Sequence, residues 1–456
     1  MMRSMFSGVS GLRAHQTRMD VIGNNVANVN TVGFKSGRVT FQEVFSQTLQ
    51  GAGAPDSTTG RGGTNPMQIG LGLGVGSIDT ITTRGSVQRT DNPTDLSIEG
   101  DGYFIVKGGA DGMFMFTRAG NFGIDKLGNL VSANGMNVYG WQDYGGIAQT
   151  DGSYKFDTEK PVEPINLYSD IYNKNKRMIA AKATSRAQLS GNLDASKPAL
   201  GASGIASSPA QFTVPLTVYD SLGNDYKVNI NFWKDTASGV TASGGSGGGT
   251  TWYWTATTGS GMSASFDASG AAGYLMFDTE GQIVAGASGY EVNPSIQLVP
   301  GSGVGTEPVN IALDFQKITM YSADSSVKPN DVNGFPAGSL ATFSIGSDGI
   351  ITGIYSNGQQ QPLGMLALAG FDNPSGLQKV GENMFIPTTN SGEFKKGVKA
   401  GSEGVGSLTP GSLEMSNVDL SREFTDMIIT QRGFQANSRI ITTSDEMLQE
   451  LVNLKR

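Results

Sequence analysis

The stretch that decides the fold is residues 4–29, SMFSGVSGLRAHQTRMDVIGNNVANV. Its large apolar side chains recur in steps of three and four, the spacing that aligns side chains along one face of a helix. Glycine weakens the same helix, since each helical Gly costs about 1 kcal/mol relative to Ala. The sequence therefore predicts a helix that is weak alone and needs a partner on its apolar face. The residues of this stripe are Met5, Val9, Leu12, Met19, Ile22, Val26 and Val29.

A second stripe lies at the far end of the chain, in residues 417–454. It has the same spacing, with Gln431, Ser438 and Asp445 at its polar positions, and resembles a heptad pattern. Ser416 and Asp419 form a Ser-x-x-Asp pattern that predicts the start of the helix, because both side chains can accept backbone N–H groups. The apolar residues of this second stripe are Leu420, Phe424, Met427, Phe434, Ile441, Leu448 and Val452.

Each stripe must be covered, and the most economical cover for one is the other, in the same molecule or in neighbouring copies. The alternative is that both helices lie in one ordinary core. We expect instead that they order when many copies assemble, with buried stripes as the main source of cohesion. The expected polymer interface consists of Leu12, Met19, Ile22, Val26, Leu420, Phe424, Met427, Phe434, Ile441 and Leu448.

Composition narrows the class of protein. The 456 residues can bury a sizeable core in two to four domains, and 65 glycines with 16% charged residues indicate turn-rich β structure. The expected fold class is mainly β with terminal α-helices, in which nested, discontinuous β domains accompany a helical, coiled-coil-like domain built from both chain ends. A net charge of −8 without a long basic run argues against nucleic-acid binding.

The sequence offers few residues that could perform catalysis or bind a metal ion. Without cysteine, the chain cannot form disulfides, thiolate zinc sites or a cysteine nucleophile. His15 is the only histidine, and its place in the first helix favours a surface or interface role. We therefore expect no enzyme activity, no cofactor and no metal site. No segment has the length and hydrophobicity of a membrane span or of a cleaved secretion signal, so export would follow another route.

The organisation between the helices is nested. Residues 51–76 contain nine glycines and residues 397–411 contain five, and both segments read as hinges. We expect a helical polymerisation domain at 1–70 and 408–456, a first β domain at 71–176 and 320–407, and an inserted outer β domain at 177–319. The expected hinge residues are Gly70, Gly72, Gly74, Gly76, Gly401, Gly404 and Gly406.

Short alternating segments separated by turns predict antiparallel strands. An Asp-x-x-Gly element recurs in FGIDKLGNLV, LTVYDSLGNDYKV and LMFDTEGQIV, where Asp can bond its own backbone and Gly supplies a positive φ. Calcium binding is the competing interpretation, but the further carboxylates of a calcium loop are missing. Asn357–Gly358 predicts a hairpin. The run GLGLGVG is similar to a nucleotide loop but precedes a strand pattern, which argues against phosphate binding.

An aromatic run suggests another class of function. Trp252, Tyr253 and Trp254 could stack on sugars in a secreted carbohydrate-binding or hydrolytic β protein. The run alternates as a strand does, which favours aromatic side chains in a core. Such a protein also has no need for two apolar helical stripes, at opposite ends of the chain, that a partner must cover. The sequence therefore favours assembly over carbohydrate chemistry.

The ends of the chain resemble a known family. NNVANVNTVGFKS (residues 24–36) is very similar to the opening motif of bacterial flagellar rod and hook subunits, and residues 416–456 resemble their closing motif. DLSIEGDGYFIV, FTRAGNFGIDKLGNLVSANGMNVYGW and YSNGQQQPLGMLALAGFDNPSGL also resemble segments of this family. The inserted region is less similar, mainly at VYDSLGN. Distal rod subunits are the alternative within the family, but they are much shorter.

The resemblance implies a structural subunit that polymerises with itself into a flexible tube beyond the outer end of the rod. Such a tube transmits motor torque to the filament as a universal joint and encloses the export channel, with the terminal helices innermost. The implied partners are the rod, the hook cap, the hook–filament junction proteins and the flagellar export apparatus, with no nucleic acid and no membrane insertion. The implied location is the flagellum outside the cell, reached by type III export without a cleaved signal peptide.

Overall fold

The computed structural model describes residues 2–55, 60, 62–108, 112–143, 155–172, 174–201, 205, 208–236, 249–258, 265–266, 272–284, 291–300, 307–402 and 404–454. These divide into two compact units. Unit 1 comprises Met1–Lys176, Phe343–Gly353 and Gln361–Arg456, and unit 2 comprises Arg177–Thr342 and Ile354–Gln360. The chain thus leaves unit 1 and returns to it, a discontinuous arrangement of the kind that the sequence predicts.

Two long helices lie near the ends of the chain, α1 at Met2–Ala27 and α2 at Leu420–Asn453. A single 3-10 turn occurs between them in the described residues, at Pro374–Gly376. Almost all other regular structure is β, so the expected fold class, mainly β with a helix at each end, is confirmed. Neither helix that the structure describes is long and apolar enough to cross a bilayer.

Unit 1 is built largely of short strands, because its apolar segments are brief and separated by turns. Its strands before the chain passes into unit 2 are β1 Gly37–Glu43, β2 Ser46–Gln50, β3 Met67–Gly70, β4 Leu73–Thr80, β5 Val87–Arg89, β6 Leu96–Glu99, β7 Tyr103–Lys107, β8 Phe114–Thr117, β9 Phe122–Ile124, β10 Leu130–Ser132, β11 Asn137–Trp141, β12 Glu163–Pro164, β13 Ser169–Asp170 and β14 Lys174–Asn175.

The later strands complete unit 1. Strands β27, β11, β7, β8, β29 and β28 are neighbours in one sheet, and the buried Ile105, Phe116 and Met365 belong to its core. Outside this sheet, β1 pairs with β4, β31 with β6 and β32 with β5. The strands after the return are β27 Gln360–Ala369, β28 Gln378–Gly381, β29 Met384–Ile386, β30 Val398–Lys399, β31 Ser407–Pro410 and β32 Ser412–Glu414, while β25 Gly338–Ile345 and β26 Ile350–Tyr355 contain residues of both units.

Unit 2 is a two-sheet structure around one core. A four-stranded sheet has the order β17, β18, β19, β21, and a five-stranded sheet has the order β20, β22, β23, β16, β24. Residues of both sheets share a buried cluster, in which the Trp254 and Phe315 rings lie 5.3 Å apart. The strands are β15 Met178–Ile179, β16 Arg186–Asp194, β17 Phe212–Tyr219, β18 Asp225–Asp235, β19 Thr250–Thr258, β20 Ser265–Phe266, β21 Ala272–Phe277, β22 Ser295–Val299, β23 Val309–Tyr321 and β24 Lys328–Val332.

The chain stays in unit 2 beyond residue 319, the predicted end of the inserted domain. The reason is the long strand β23, which pairs in parallel with β16 from Arg186↔Ala312 to Asp194↔Tyr321. Strand β24 then pairs with the other edge of β16. These ladders hold residues 309–332 in unit 2, and the chain returns to unit 1 at Phe343.

The recurring Asp-x-x-Gly elements adopt the predicted turns. Asp125 Oδ1 accepts hydrogen bonds from the backbone N–H groups of Leu127 (2.9 Å) and Asn129 (2.7 Å), and Gly128 has a φ of 94°. Asp220 and Asp278 make the same pair of bonds two and four residues ahead. The carboxylates therefore stabilise their own turns, as the Asp-x-x-Gly pattern predicts. Gly358, with a φ of 78°, closes the predicted hairpin.

Candidate assembly site

The two terminal helices pack against each other in an antiparallel pair within one chain. A Cβ placed on Gly8 would lie 3.4 Å from Asn437 O, and one placed on Gly433 would lie 2.8 Å from His15 Cε1. Farther along, Arg18 Nη2 lies 3.0 Å from Asp426 Oδ1. The early positions of α1 thus contact the late positions of α2, and glycines on both helices allow a close approach.

Small and polar residues lie on the side of α2 that faces α1, where Gly433 and Asn437 approach the first helix. Thr430 and Ser444 are the buried residues of this helix, and their hydroxyl groups donate to Asp426 O (2.6 Å) and Ile440 O (2.7 Å) in the preceding turn. Sequence reasoning missed this seam because it followed large apolar side chains. The glycines of α1 at steps of three, together with small residues at heptad spacing on α2, are the signal that could have found it.

The predicted interface residues divide into two groups. Ile22 is buried, while Leu12, Met19, Val26, Met427, Ile441 and Leu448 are half-buried. In contrast, Phe424 is 50% exposed, Phe434 42% and Leu420 39%. The predicted stripe of α2 thus lies beside the seam with α1 and is only partly covered. Its burial between copies stays a prediction.

The start of α2 differs in detail from the predicted cap. Asp419 is the N-cap, and its Oδ1 accepts the N–H of Ser421 at 2.9 Å and that of Arg422 at 3.4 Å. Ser416 Oγ instead accepts the N–H of Val418, before the helix begins. The helix therefore begins after Asp419, so Asp419 takes the capping position that the Ser-x-x-Asp pattern assigns to Ser416.

Titratable groups occur within the helix pair. Burial, with a smaller effect of the Arg18 guanidinium, lowers the pKa of His15, whose ring lies 5.7 Å from that of Phe41 in an edge arrangement. Burial also raises the pKa of Glu423, against the hydrogen bond that Asn25 Nδ2 donates to its Oε1 at 3.2 Å. His15 is thus an interface side chain rather than a catalytic base in an open cleft.

A junction joins both helices of the pair to the β structure of unit 1. It consists of residues 30–37 and 412–418, with their contacts at 81–86 and 118–119. Asn25 bonds both backbone groups of Gly37, and Ser36 N donates to Asn417 Oδ1 at 2.8 Å. At its centre Lys35 Nζ lies 2.6 Å from Glu414 Oε1. The motif in residues 24–36 therefore encodes a folded junction.

The predicted hinge glycines occupy several kinds of environment. Gly74 and Gly76 lie in strand β4, and Gly70 ends strand β3. A Cβ on Gly72 would lie 2.3 Å from Ser10 Oγ, and one on Gly406 would lie 2.1 Å from Glu99 O, so close packing accounts for glycine at both. Gly401 and Gly404 have φ values of 77° and 88° with open space around them. Bending at these sites stays a prediction.

The aromatic run of strand β19 lies partly in the core of unit 2. Trp252 and Trp254 are buried, and the Trp252 indole N–H donates to Met320 Sδ at 3.3 Å. Neither indole can stack on a sugar, as the interpretation of this run as a core strand expects. Among the described residues, no group of three His, Cys, Asp or Glu side chains is arranged to hold a metal ion.

Four family models match the chain in sequence order. Residues 5–35 match "Flagella basal body rod protein", 97–170 "Flagellar hook protein FlgE/F/G D1 domain", 192–335 "Flagellar basal body protein FlaE D2 domain" and 409–454 "Flagellar basal body rod FlgEFG protein C-terminal". The first and last of these matches cover most of α1, the junction and α2. The site described above thus falls in segments typical of flagellar axial proteins.

Full-length relatives give the same result. The flagellar hook proteins FlgE of Borreliella burgdorferi and Treponema pallidum are each 41% identical, with all of both chains covered. The flagellar basal-body rod protein FlgG of Bacillus subtilis is 31% identical, again with all of both chains covered. With its paired terminal helices, its interrupted β units and this similarity along its whole length, the chain belongs to the flagellar hook protein family.

Proposed function

We propose that this chain is the structural subunit of the flagellar hook, and that copies of it polymerise into a flexible tube that carries motor torque to the filament. Two relatives that are 41% identical over the full length of both chains are flagellar hook proteins. We assign it no enzyme activity, and we assign the flagellar hook as its location.

One observation carries the assembly mechanism. Helix α2 has a covered side and an uncovered side: Thr430 is buried, whereas Phe424, Ile428 and Ile429 are each at least half exposed. A row of large apolar side chains in water is unfavourable and marks a protein contact. We infer that neighbouring copies cover this row, so that the terminal helices form the inner, cohesive layer of the tube.

The proposed domains follow from this mechanism. Residues 1–70 and 408–456 are the polymerisation domain, and the β structure of 71–176 and 343–407 surrounds it, with the return to this structure placed at Phe343. The inserted β structure begins near residue 177 and extends to residue 342. Flexibility is then assigned to the glycine segments 51–76 and 397–411, with Gly401 and Gly404 as the positions with most freedom. The proposed partners are the rod, the hook cap, the hook–filament junction proteins and the export apparatus.

Electron microscopy of cells that lack the protein tests the proposal. Basal bodies with complete rods but without hooks are the expected result, and re-expression of the chain should restore the hooks. Rods that stop short of their full length would instead support the alternative of a distal rod subunit. Intact, motile flagella without the protein would contradict both.

Assembly of the purified chain gives a second test, directed at the exposed row. Replacing Phe424 and Ile428 with serine should prevent pelletable polymer while the isolated chain keeps its β-sheet circular dichroism. The matched control replaces Ile171, which is 90% exposed outside the helix pair, with serine. Equal assembly of the two variants would contradict the role of the exposed row.

A further inference from the structure

Three charged side chains are buried together at the centre of the junction. Lys35 Nζ lies 2.6 Å from Glu414 Oε1, and Arg118 Nη1 lies 3.3 Å from Glu414 Oε2. The exposed fractions of these side chains are 1% for Lys35, 0% for Glu414 and 4% for Arg118. We call these residues the buried triad.

Each member of the buried triad comes from a different part of the chain. Lys35 follows α1, Arg118 follows β8 in the β structure of unit 1, and Glu414 ends β32 just before α2. The triad therefore joins the N-terminal segment, the β structure and the C-terminal segment at one point.

Glu414 balances both cations. Among the residues that the structure describes, no other carboxylate forms an ion pair with Lys35 or Arg118. The Nε of Arg118 is buried without a hydrogen-bond partner in this part of the molecule, and its guanidinium otherwise faces the Tyr103 ring at 5.2 Å. Burial lowers the pKa of Lys35, and the charge of Glu414 opposes that effect. Without Glu414, two cations would be left in a site closed to water, which is strongly unfavourable.

Further hydrogen bonds connect the same segments of the chain. Gly33 N donates to Glu414 O at 2.8 Å, and Gly85 N donates to Glu414 Oε1 at 3.1 Å. Asn417 Nδ2 donates to Ile81 O at 2.9 Å while its Oδ1 accepts from Ser36. The buried residues 33–36 thus obtain much of their bonding from residues 414–417.

We propose that Glu414 is a latch that makes the docking of residues 30–37 on unit 1 depend on the C-terminal segment. The N-terminal segment cannot bury Lys35 beside Arg118 until strand β32 brings the carboxylate between them. Both terminal helices then become attached to the β structure in one cooperative step. This inference concerns order within a single chain, and so it goes beyond the proposed contacts between copies.

Amide hydrogen exchange of the full-length chain tests the latch. Glu414→Gln keeps the size of the side chain and removes its charge. It should raise exchange rates at residues 33–37 at least tenfold, while amides of strand β7 and of unit 2 change less than twofold. The matched control is Glu99→Gln, because Glu99 pairs with Arg84 at 3.2 Å but is 61% exposed. This control should leave exchange at 33–37 unchanged.

A second variant keeps the test decisive if Glu414→Gln does not fold. Lys35→Met preserves the length of the side chain and leaves the pair between Glu414 and Arg118 intact. Because it removes the charge that needs the carboxylate, residues 33–37 should stay protected in Lys35→Met, and adding Glu414→Gln to it should raise their exchange less than tenfold. The latch is overturned if the amides at 33–37 are already unprotected in the unmodified chain. It is also overturned if Glu414→Gln accelerates exchange in strand β7 as much as at 33–37, or does not accelerate exchange at 33–37. Loss of all unit 1 protection in Lys35→Met would overturn it too.

Discussion

Gly11 of the first helix faces Asn437 of the last helix so closely that a Cβ on Gly11 would lie 2.8 Å from the Asn437 amide nitrogen. The first helix also contains Gly23, where an added Cβ would meet nothing within 4 Å. The two glycines thus share a helix and a residue type but differ in what surrounds them. At Gly11, helix propensity favours alanine whereas close packing favours glycine. At Gly23, only helix propensity applies, and it favours alanine.

Alanine at these two positions should therefore have different effects on the stability of the helix pair. Gly23→Ala should stabilise it by about 0.5–1 kcal/mol, because Ala is the better helix former. Gly11→Ala should give no gain or a loss, since Asn437 must move. The measurement is the urea midpoint of the helical circular dichroism signal of the assembled protein. Equal gains from both substitutions would mean that the helices do not approach as closely as described.

Truncation of apolar side chains should separate cohesion between copies from stability within one copy. Phe434, 42% exposed, should be replaceable by alanine with little change in the unfolding of the isolated chain, while the critical concentration for assembly rises. Ile22, 4% exposed, is the matched position inside the chain. Ile22→Ala should cost about 2–5 kcal/mol in the isolated chain itself.

Sedimentation against concentration and thermal unfolding of the unassembled protein measure these two quantities. If Phe434→Ala destabilises the isolated chain as much as Ile22→Ala does, then Phe434 belongs to an ordinary core. The proposed interface would then have to be abandoned at that position.

Local chemistry made much of the fold predictable. Spacing in steps of three and four predicted both helices, and the turns at Asp125, Asp220 and Asp278 followed from hydrogen bonds that a short side chain can make to its own backbone. The alternation of TWYWT correctly predicted a strand with Trp252 and Trp254 in the core. These features need only neighbouring residues, so a single sequence contains them.

Features that depend on distant residues were not predictable in the same way. The side of α2 that meets α1 is set by glycine and threonine, and a pattern of large apolar residues points to the adjacent side instead. The ion pair of Lys35 and Glu414 joins positions 379 residues apart, and neither side chain is unusual in its local sequence. The long strand β23 kept residues 309–321 in unit 2 through its pairing with β16, which no local signal near residue 319 reveals.

Two glycines of unit 1 allow steric crowding to be separated from backbone strain. Gly128 and Gly135 have positive φ values of 94° and 76°, and so alanine at either position costs about 1–2 kcal/mol from the backbone. A Cβ on Gly128 would also lie 2.4 Å from the Tyr168 ring, whereas one on Gly135 would meet nothing within 4 Å. Gly128→Ala should therefore lower the melting temperature of unit 1 clearly more than Gly135→Ala.

Differential scanning calorimetry of the two variants gives this comparison. The double variant Gly128→Ala with Tyr168→Ala provides the control, because removal of the ring should recover the part of the loss due to crowding. Equal melting temperatures for the two single variants would show that the Tyr168 ring moves aside at no cost.

His15 predicts how the helix pair responds to pH. Its pKa in the folded chain is lowered from 6.5, so the folded state binds the proton more weakly than the unfolded state does. Stability should be complete above the unfolded pKa and should fall as the pH drops below it, until the pH passes the folded pKa. The charged imidazolium would lie near Arg18 and against Gly433, in a site without a hydrogen-bond partner for Nδ1 among the described residues.

Glu423 should respond to pH in the opposite sense. Its pKa in the folded chain is raised, so the folded state binds the proton more tightly than the unfolded state and gains stability as the pH falls. The two groups are separated by His15→Gln, since the chain contains no other histidine. Urea unfolding of the helical signal at about pH 7 and about pH 5.5 should give a lower midpoint at the lower pH in the unmodified chain, and this loss should disappear in the variant. A loss of the same size in both chains would assign the pH response to other groups and would place His15 outside the packed seam.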